Sequence, residues 1–379
     1  MVQISTLVDL YITLNILIII GYVVWYLSRF LMTRMGFRHA YSTQLRLLNG
    51  LLLTVIASPL LVYMLYFFQV FGLNLSAYLN LSDLVVSHYL NGGINMKATE
   101  FERVMSFRVN LTDQVANTSS WFAWLVLTTF FLGAAIGVLR IFFSAGCLYK
   151  IVSQSYAWRA YGRIKIRLSD HTLVPFSTRS LRNYYIVIPS HMVIQNHEFK
   201  VSVAHELQHL RQGDISWEIL LELLKPVFFL NPVFHVWKKQ VEELRELSCD
   251  SEVLRRGRIN ISDYCETLLS VCQKRLRRDR AFLIAFPKVT LVTADRVSEY
   301  GERKNLLSRR IISLFEAKKT LQTKTTTVMF MVPLVVFLSV VTIAIQKSGD
   351  WSQDRLMLST VVNLERLETI NAMSAVPNF

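Results

Sequence analysis

The run Val201-Ser202-Val203-Ala204-His205-Glu206-Leu207-Gln208-His209-Leu210-Arg211-Gln212-Gly213-Asp214 reads as a helix. It holds good helix formers and no proline before Gly213. Residues four apart share a helix face, so His205 and His209 offer two imidazoles to one spot. That is the HExxH arrangement: two metal ligands with a glutamate between them. Neutral imidazole binds zinc at about 2.0–2.1 Å. Glu206, directly after the first ligand, is placed to take a proton from water and pass one to a leaving amine. The plainer reading is a polar helix face that happens to carry two histidines.

A second helical stretch, Phe234–Leu254, has no glycine or proline and carries Glu246, 37 residues after His209. A carboxylate there supplies a third protein ligand and leaves a fourth position for water, as catalytic zinc requires. Asp250 lies one turn further and is expected to accept a hydrogen bond from the free ring nitrogen of a ligating histidine. Beside Glu242 and Glu243, Glu246 also reads as a solvated helix charge. Cys249 shares this helix, but a lone cysteine more often fills a small buried space, and it stays outside the expected ligand set. His171, His191, His197 and His235 have no partner at ligand spacing and read as surface or core residues.

Around these motifs the composition is that of a membrane protein. Of 379 residues, 52% are apolar and only 18% charged, against about 25% charged in a typical soluble domain. Four segments are long and apolar enough to cross a bilayer, which takes about 20 residues. They run over Leu7–Leu27, Leu47–Phe71, Trp121–Phe143 and Thr326–Ile345. The second contains Ser58-Pro59, a possible kink. In the third, Gly133 and Gly137 read either as a close helix contact or as two unrelated small residues. The four cysteines (Cys147, Cys249, Cys265, Cys272) are too few and too irregularly spaced for a disulfide scaffold.

The net charge of +14 is unevenly placed. The first loop carries Arg29, Arg34, Arg38 and Arg46 with no acid, and residues 145–325 hold 30 Lys/Arg against 18 Asp/Glu. The second loop, 72–120, and the tail beyond Ile345 each hold three basic and four acidic residues. The two basic segments fall on one side of a four-span topology, and the positive-inside rule makes that side cytoplasmic. Both termini then face outward. Topology and contact with anionic lipid account for the basic excess, and no nucleic-acid partner is expected.

The expected architecture is therefore a mainly α membrane protein. Residues 1–144 form a three-helix membrane region with an outer loop at 72–120. Residues 145–325 form a cytoplasmic α+β domain inserted between helices 3 and 4. Residues 326–346 form the fourth helix, and 347–379 a short outer tail. In that tail Leu356, Val361, Leu364 and Leu367 are spaced for one helix face, either to dock on the outer loop, to bind a partner, or with no special role. Trp217–Phe229 is apolar but carries Glu218, Glu222 and Lys225. It reads as a helix lying along the membrane surface or as a buried helix of the domain. Tyr184–Ile188 is β-branched and aromatic and is bounded by Pro189. It is expected to be an edge strand whose Tyr185, Ile186, Val187 and Ile188 pair with an extended substrate, an ordinary interior strand being the alternative.

The HELQH run 205–209, Asn231-Pro232, and Arg245-Glu246-Leu247-Ser248-Cys249-Asp250 together resemble the gluzincin domain of the bacterial beta-lactam sensor-transducers and their wider antirepressor-type membrane metallopeptidase family. The resemblance is specific across about 185–255. It implies that His205, His209 and Glu246 bind Zn2+, that Glu206 is the general base, and that Asp250 supports a ligand. It also implies a bacterial inner-membrane enzyme that cuts a protein on the cytoplasmic side: a repressor, itself or a membrane protein. Two departures bear on this. Only about 33 residues follow the fourth span, with no Ser-x-x-Lys site, so sensing by acylation is not expected. Residues 175–189 also lack the glycine-containing turn that the family tends to place before its edge strand. Two other readings stay open. One is a membrane quality-control protease. The other is a non-catalytic assembly or signalling partner that keeps the metal fold, with the outer loop and tail as an outer-side interaction surface.

Overall fold

The computed structural model describes residues 4–69, 81–116, 121–257, 259–281, 299–316, 324–345 and 353–374. Parts of the outer loop (72–80, 117–120) and of the tail (347–352, 375–379) lie outside the described residues. The described residues are mostly helical, with a small sheet. Among the described residues four helices are long and apolar enough to cross a membrane, over Ser5–Arg34, Tyr41–Met64, Ala123–Gln154 and Thr325–Ala344, as the hydropathy pattern predicts.

In chain order the elements are α1 (Ile4–Arg34), α2 (Tyr41–Gln69), α3 (Leu81–Leu90), α4 (Ala98–Ala116) and α5 (Trp121–Gln154). Strands β1 (Tyr156–Tyr161), β2 (Ile164–Ser169), β3 (Phe176–Arg179) and β4 (Tyr184–Pro189) follow. Then come α6 (Asn196–Gln212), α7 (Asp214–Leu224), α8 (Pro232–Arg255), α9 (Ile261–Ala281), α10 (Glu299–Glu316), α11 (Lys324–Ala344) and α12 (Gln353–Ser374).

The chain divides into two compact units. One comprises residues 1–25, 50–131 and 328–379. In it α12 packs on α3 and α4 through Val86, Ala98, Phe101, Leu358 and Val362. Glu365 accepts the Thr99 backbone N–H at 3.0 Å, and Arg366 pairs with Glu102 at 2.6 Å. Helix α12 therefore docks on α3 and α4. It does so with Leu358 and Val362, while Leu356, Val361, Leu364 and Leu367 stay exposed.

The other unit comprises residues 26–49 and 132–327. Its four-stranded sheet has the order β1-β2-β4-β3. β1 and β2 are an antiparallel hairpin, β2 and β4 run parallel, and β3 and β4 are antiparallel. This corrects the expected edge strand. Tyr185, Ile186, Val187 and Ile188 lie on β4, which is paired on both sides, and Ile186, Val187 and Ile188 are fully buried. A continuous β-branched run suits a strand covered on both faces. The edge beside α6 and α7 is β3 instead.

Helix α6 is buried on two sides. Phe199, Val203, Leu207 and Leu210 pack on Ile166, Ile186 and Ile188 of the sheet. Val201 and Ala204 pack on the opposite side against Cys249, Val253, Tyr264, Cys265 and Leu314. Gly213, at φ 75°, closes the helix in a left-handed conformation, and its N–H bonds to His209 O and Leu210 O. Asn231 caps α8: its side chain accepts the Val233 N–H at 3.0 Å, and Pro232 takes the first helical position. An asparagine cap followed by proline suits a helix start, where the missing N–H costs nothing.

Candidate metal centre

Helix α6 brings His205 and His209 to one spot, with their Nε2 atoms 3.1 Å apart. Helix α8 crosses this face and delivers Glu246. Its Oε2 lies 3.6 Å from His205 Nε2 and its Oε1 3.7 Å from His209 Nε2. Bonds of about 2.0–2.1 Å at tetrahedral angles hold zinc donors roughly 3.3–3.4 Å from one another. The three expected ligands converge at that separation, and their hard and borderline donors suit a divalent cation. Glu206 is buried on the same helix, next to His205.

Each imidazole is oriented by its other nitrogen. His209 Nδ1 meets Asp214 Oδ2 at 2.8 Å. His205 Nδ1 meets the Tyr264 hydroxyl at 2.8 Å, and that hydroxyl donates to Asp250 Oδ1 at 2.6 Å. With its proton given to Asp250, the phenol oxygen accepts from His205 Nδ1–H. Both rings thus turn Nε2 toward Glu246, the arrangement that ligating histidines require. Asp250 reaches His205 mainly through Tyr264, since its own oxygen is 3.4 Å from Nδ1.

Arg310 of α10 completes the site. Its Nε and Nη2 each donate to Asp250 at 2.7 Å, and Nη1 lies 3.1 Å from Glu246 Oε2. Burial raises the Glu246 pKa, but Arg310 and the two histidines outweigh it and hold the carboxyl well below its ordinary range. Burial opposes charge on His205 as well, yet Cys249 and Glu246 raise its pKa to about 10. His209 is raised in the same way by Cys249, Asp214 and Glu246. A field that holds protons on two buried imidazoles also favours a divalent cation between them.

Sequence reasoning missed three of these residues. Asp214 follows the Gly213 turn by one residue, and that turn is its only local signal. Tyr264 and Arg310 come from α9 and α10, far along the chain. Cys249, expected to be a buried space-filler, is fully buried. It also belongs to a group with His205 and His209 whose donor atoms lie within 4.8 Å of one another. Its Sγ lies 3.5 Å from His205 Nδ1, the nitrogen already engaged by Tyr264.

A family model described as BlaR1 peptidase M56 matches residues 5–298. A 93-residue stretch is 31% identical to the regulatory protein BlaR1 of Bacillus licheniformis. It covers 24% of this chain and 16% of that protein, so the likeness spans only a small share of the relative's length. The family match covers most of the chain, which therefore belongs to the M56 peptidase family. The family resemblance expected from the sequence is thereby shown.

Proposed function

We propose that this M56 family member is a membrane-anchored zinc endopeptidase that cuts a protein on the cytoplasmic side of a bacterial inner membrane, in signal transduction. The observation that carries the reading is the convergence of His205 Nε2, His209 Nε2 and Glu246, with both Nδ1 atoms held by oxygen partners. The arginine-rich loop and the 145–325 block support the cytoplasmic side.

His205, His209 and Glu246 would hold the zinc, which when bound supplies Lewis acidity toward the scissile carbonyl and activates a water nucleophile. Glu206 takes the proton from the attacking water as its oxygen bonds to the carbonyl carbon. It then delivers that proton to the leaving nitrogen as the C–N bond breaks. Asp214 and the Tyr264–Asp250 pair hold the two imidazoles in the tautomer that offers Nε2. The free edge of β3 offers backbone groups to an extended substrate. Arg179 at the end of β3 donates to Ser216 Oγ at 2.6 Å, which ties that edge to the turn that positions Asp214. The substrate class is a protein with an extended segment: a cytoplasmic repressor, a membrane protein or this chain itself.

The Cys249 sulfur favours a second reading. A fourth protein donor would close the coordination shell, as in structural zinc sites, and leave a signalling or assembly protein that works by binding. The engagement of His205 Nδ1 by Tyr264 favours the open set with Glu246.

The test uses the full chain purified in nanodiscs, with zinc content and cleavage of an unfolded protein substrate measured together. The wild type is expected to hold one zinc and to cut. Glu206→Gln is expected to hold zinc and not cut, and Glu246→Ala to lose zinc. A wild type that holds zinc but does not cut, with zinc weakened by both Glu246→Ala and Cys249→Ala, would establish the closed-site reading.

A further inference from the structure

Helix α7 is charged on its inside. Asp214, Glu218 and Glu222 recur every fourth residue and so share one face. Asp214 pairs with His209, Glu218 with Arg245, and Glu222 with Lys238, which also lies 3.4 Å from Glu242. Asp214, Glu218, Lys238 and Arg245 are all buried. Phe228 and Phe234 of the hairpin that joins α7 to α8 pack inward, and four other apolar side chains point the other way: Leu223 is 55% exposed, Val227 41%, Leu230 50% and Val236 48%. Water selects the opposite arrangement, because exposed apolar side chains gain nothing there and buried ion pairs lose their hydration. Hydrocarbon selects this one, with charges paired inward and apolar side chains outward.

Two rulers give the depth. The tip of the hairpin lies against α5. A Cβ on Gly137 would fall 3.0 Å from Pro226 Cβ, and a Cβ on Gly133 2.3 Å from the Phe229 ring. Residues 121–139 of α5 carry no charge, and Arg140 ends that stretch. Gly133 precedes Arg140 by seven residues, which is about 10 Å at 1.5 Å per residue. On α8, Gln240 accepts a hydrogen bond from Arg29 at the basic end of α1, at 3.0 Å. Pro232 at the start of α8 is eight residues from Gln240, about 12 Å by the same rise. The two agree.

We propose that the α7–α8 hairpin, residues 223–236, is a re-entrant element seated about 10 Å into the bilayer, with phospholipid acyl chains against Leu223, Val227 and Leu230. Lys225 sits near the tip on a long apolar stem, which carries its ammonium back toward the headgroups. Depths of 5–10 Å are those of interfacial helices. Because α8 carries Glu246 on the same rigid helix, the hairpin moors the metal centre close to the membrane surface. The inference rests on α5 crossing the membrane and not on peptide hydrolysis, so the two stand or fall separately.

The test uses the full chain in nanodiscs of phosphatidylcholine and phosphatidylglycerol, with p-benzoyl-phenylalanine in place of Val227 or Leu230. Leu181, 98% exposed in the turn between β3 and β4, is the control position. After irradiation, intact-mass spectrometry is expected to find lipid adducts at positions 227 and 230 and none at 181. Adducts to a second copy of the chain, equal lipid labelling at all three positions, or no lipid adduct at 227 and 230 would each overturn the proposal. In the unmodified chain, backbone amides of residues 225–231 are expected to exchange slowly in nanodiscs. Exchange there as fast as in the turn at Leu181 would also overturn it.

Discussion

Tyr264 stands between Asp250 and His205: its hydroxyl donates to Asp250 at 2.6 Å and accepts from His205 Nδ1 at 2.8 Å. Burial and the Asp250 charge push the Tyr264 pKa well above the ordinary range, so the phenol stays protonated and keeps both bonds. Partners of this kind set the tautomer of a ligating histidine, and their loss typically costs 10- to 100-fold in metal affinity. Tyr264→Phe keeps the ring and removes the link. Zinc affinity, measured by competition with a chelating dye, is expected to fall by about 10- to 100-fold. An unchanged affinity would show that the phenol does not govern the ligand.

Asp214 plays the same part for His209. Asp214→Ala is expected to weaken zinc by about the same factor, while Asp214→Asn, whose carbonyl still accepts the Nδ1 proton, retains most of it. Equal losses in the two variants would point to folding and not to orientation.

Arg310 bridges Asp250, which is fully buried, and Glu246, which is partly exposed. Breaking a buried pair strands the remaining charge, which costs about 3–5 kcal/mol. Arg245→Met, which leaves Glu218 buried without its partner, is expected to destabilise by a similar amount. Chemical denaturation of the chain in detergent checks this, and a change below about 1 kcal/mol would mean that Glu218 reaches solvent.

The histidines give a pH dependence with a definite sign. In the metal-free protein the His205 pKa is raised to about 10, while an unfolded histidine titrates near 6.5. The protonated form thus contributes stability that is fully present below about pH 6.5 and is lost as pH rises toward 10. His209, shifted the same way, adds to it. With a chelator present, the Tm is expected to fall steadily across that window. Zinc must displace protons from these imidazoles, so its affinity rises with pH and its binding releases protons near pH 7. Titration calorimetry in buffers of different ionisation enthalpy measures that release.

The spans were legible because long uncharged apolar runs have one economical solution. The two histidines of α6 were legible because a helix fixes their spacing, and Glu246 because it falls in an unbroken helical run. What remained hidden depends on tertiary placement. Asp214 reaches His209 only because Gly213 turns the chain back, and Tyr264 and Arg310 arrive from helices 50 residues or more further on. The status of β4 was misread because hydrophobicity alone does not separate an edge strand from a central one. Its outer neighbour β3 is four residues long and leaves almost no pattern. The partners of Glu218 and Glu222 were hidden as well, because nothing local shows that Arg245 and Lys238 lie opposite.

The central claim is catalysis by Glu206 at a metal held by His205, His209 and Glu246. It is tested most directly by comparing new protein N-termini in cells that carry equal membrane levels of the wild type or Glu206→Gln. The account predicts fragments that appear only with the wild type, cut in cytoplasmic segments of a substrate or of the chain itself. Identical fragment sets, together with full biological function of Glu206→Gln, would contradict it and assign the protein a binding role.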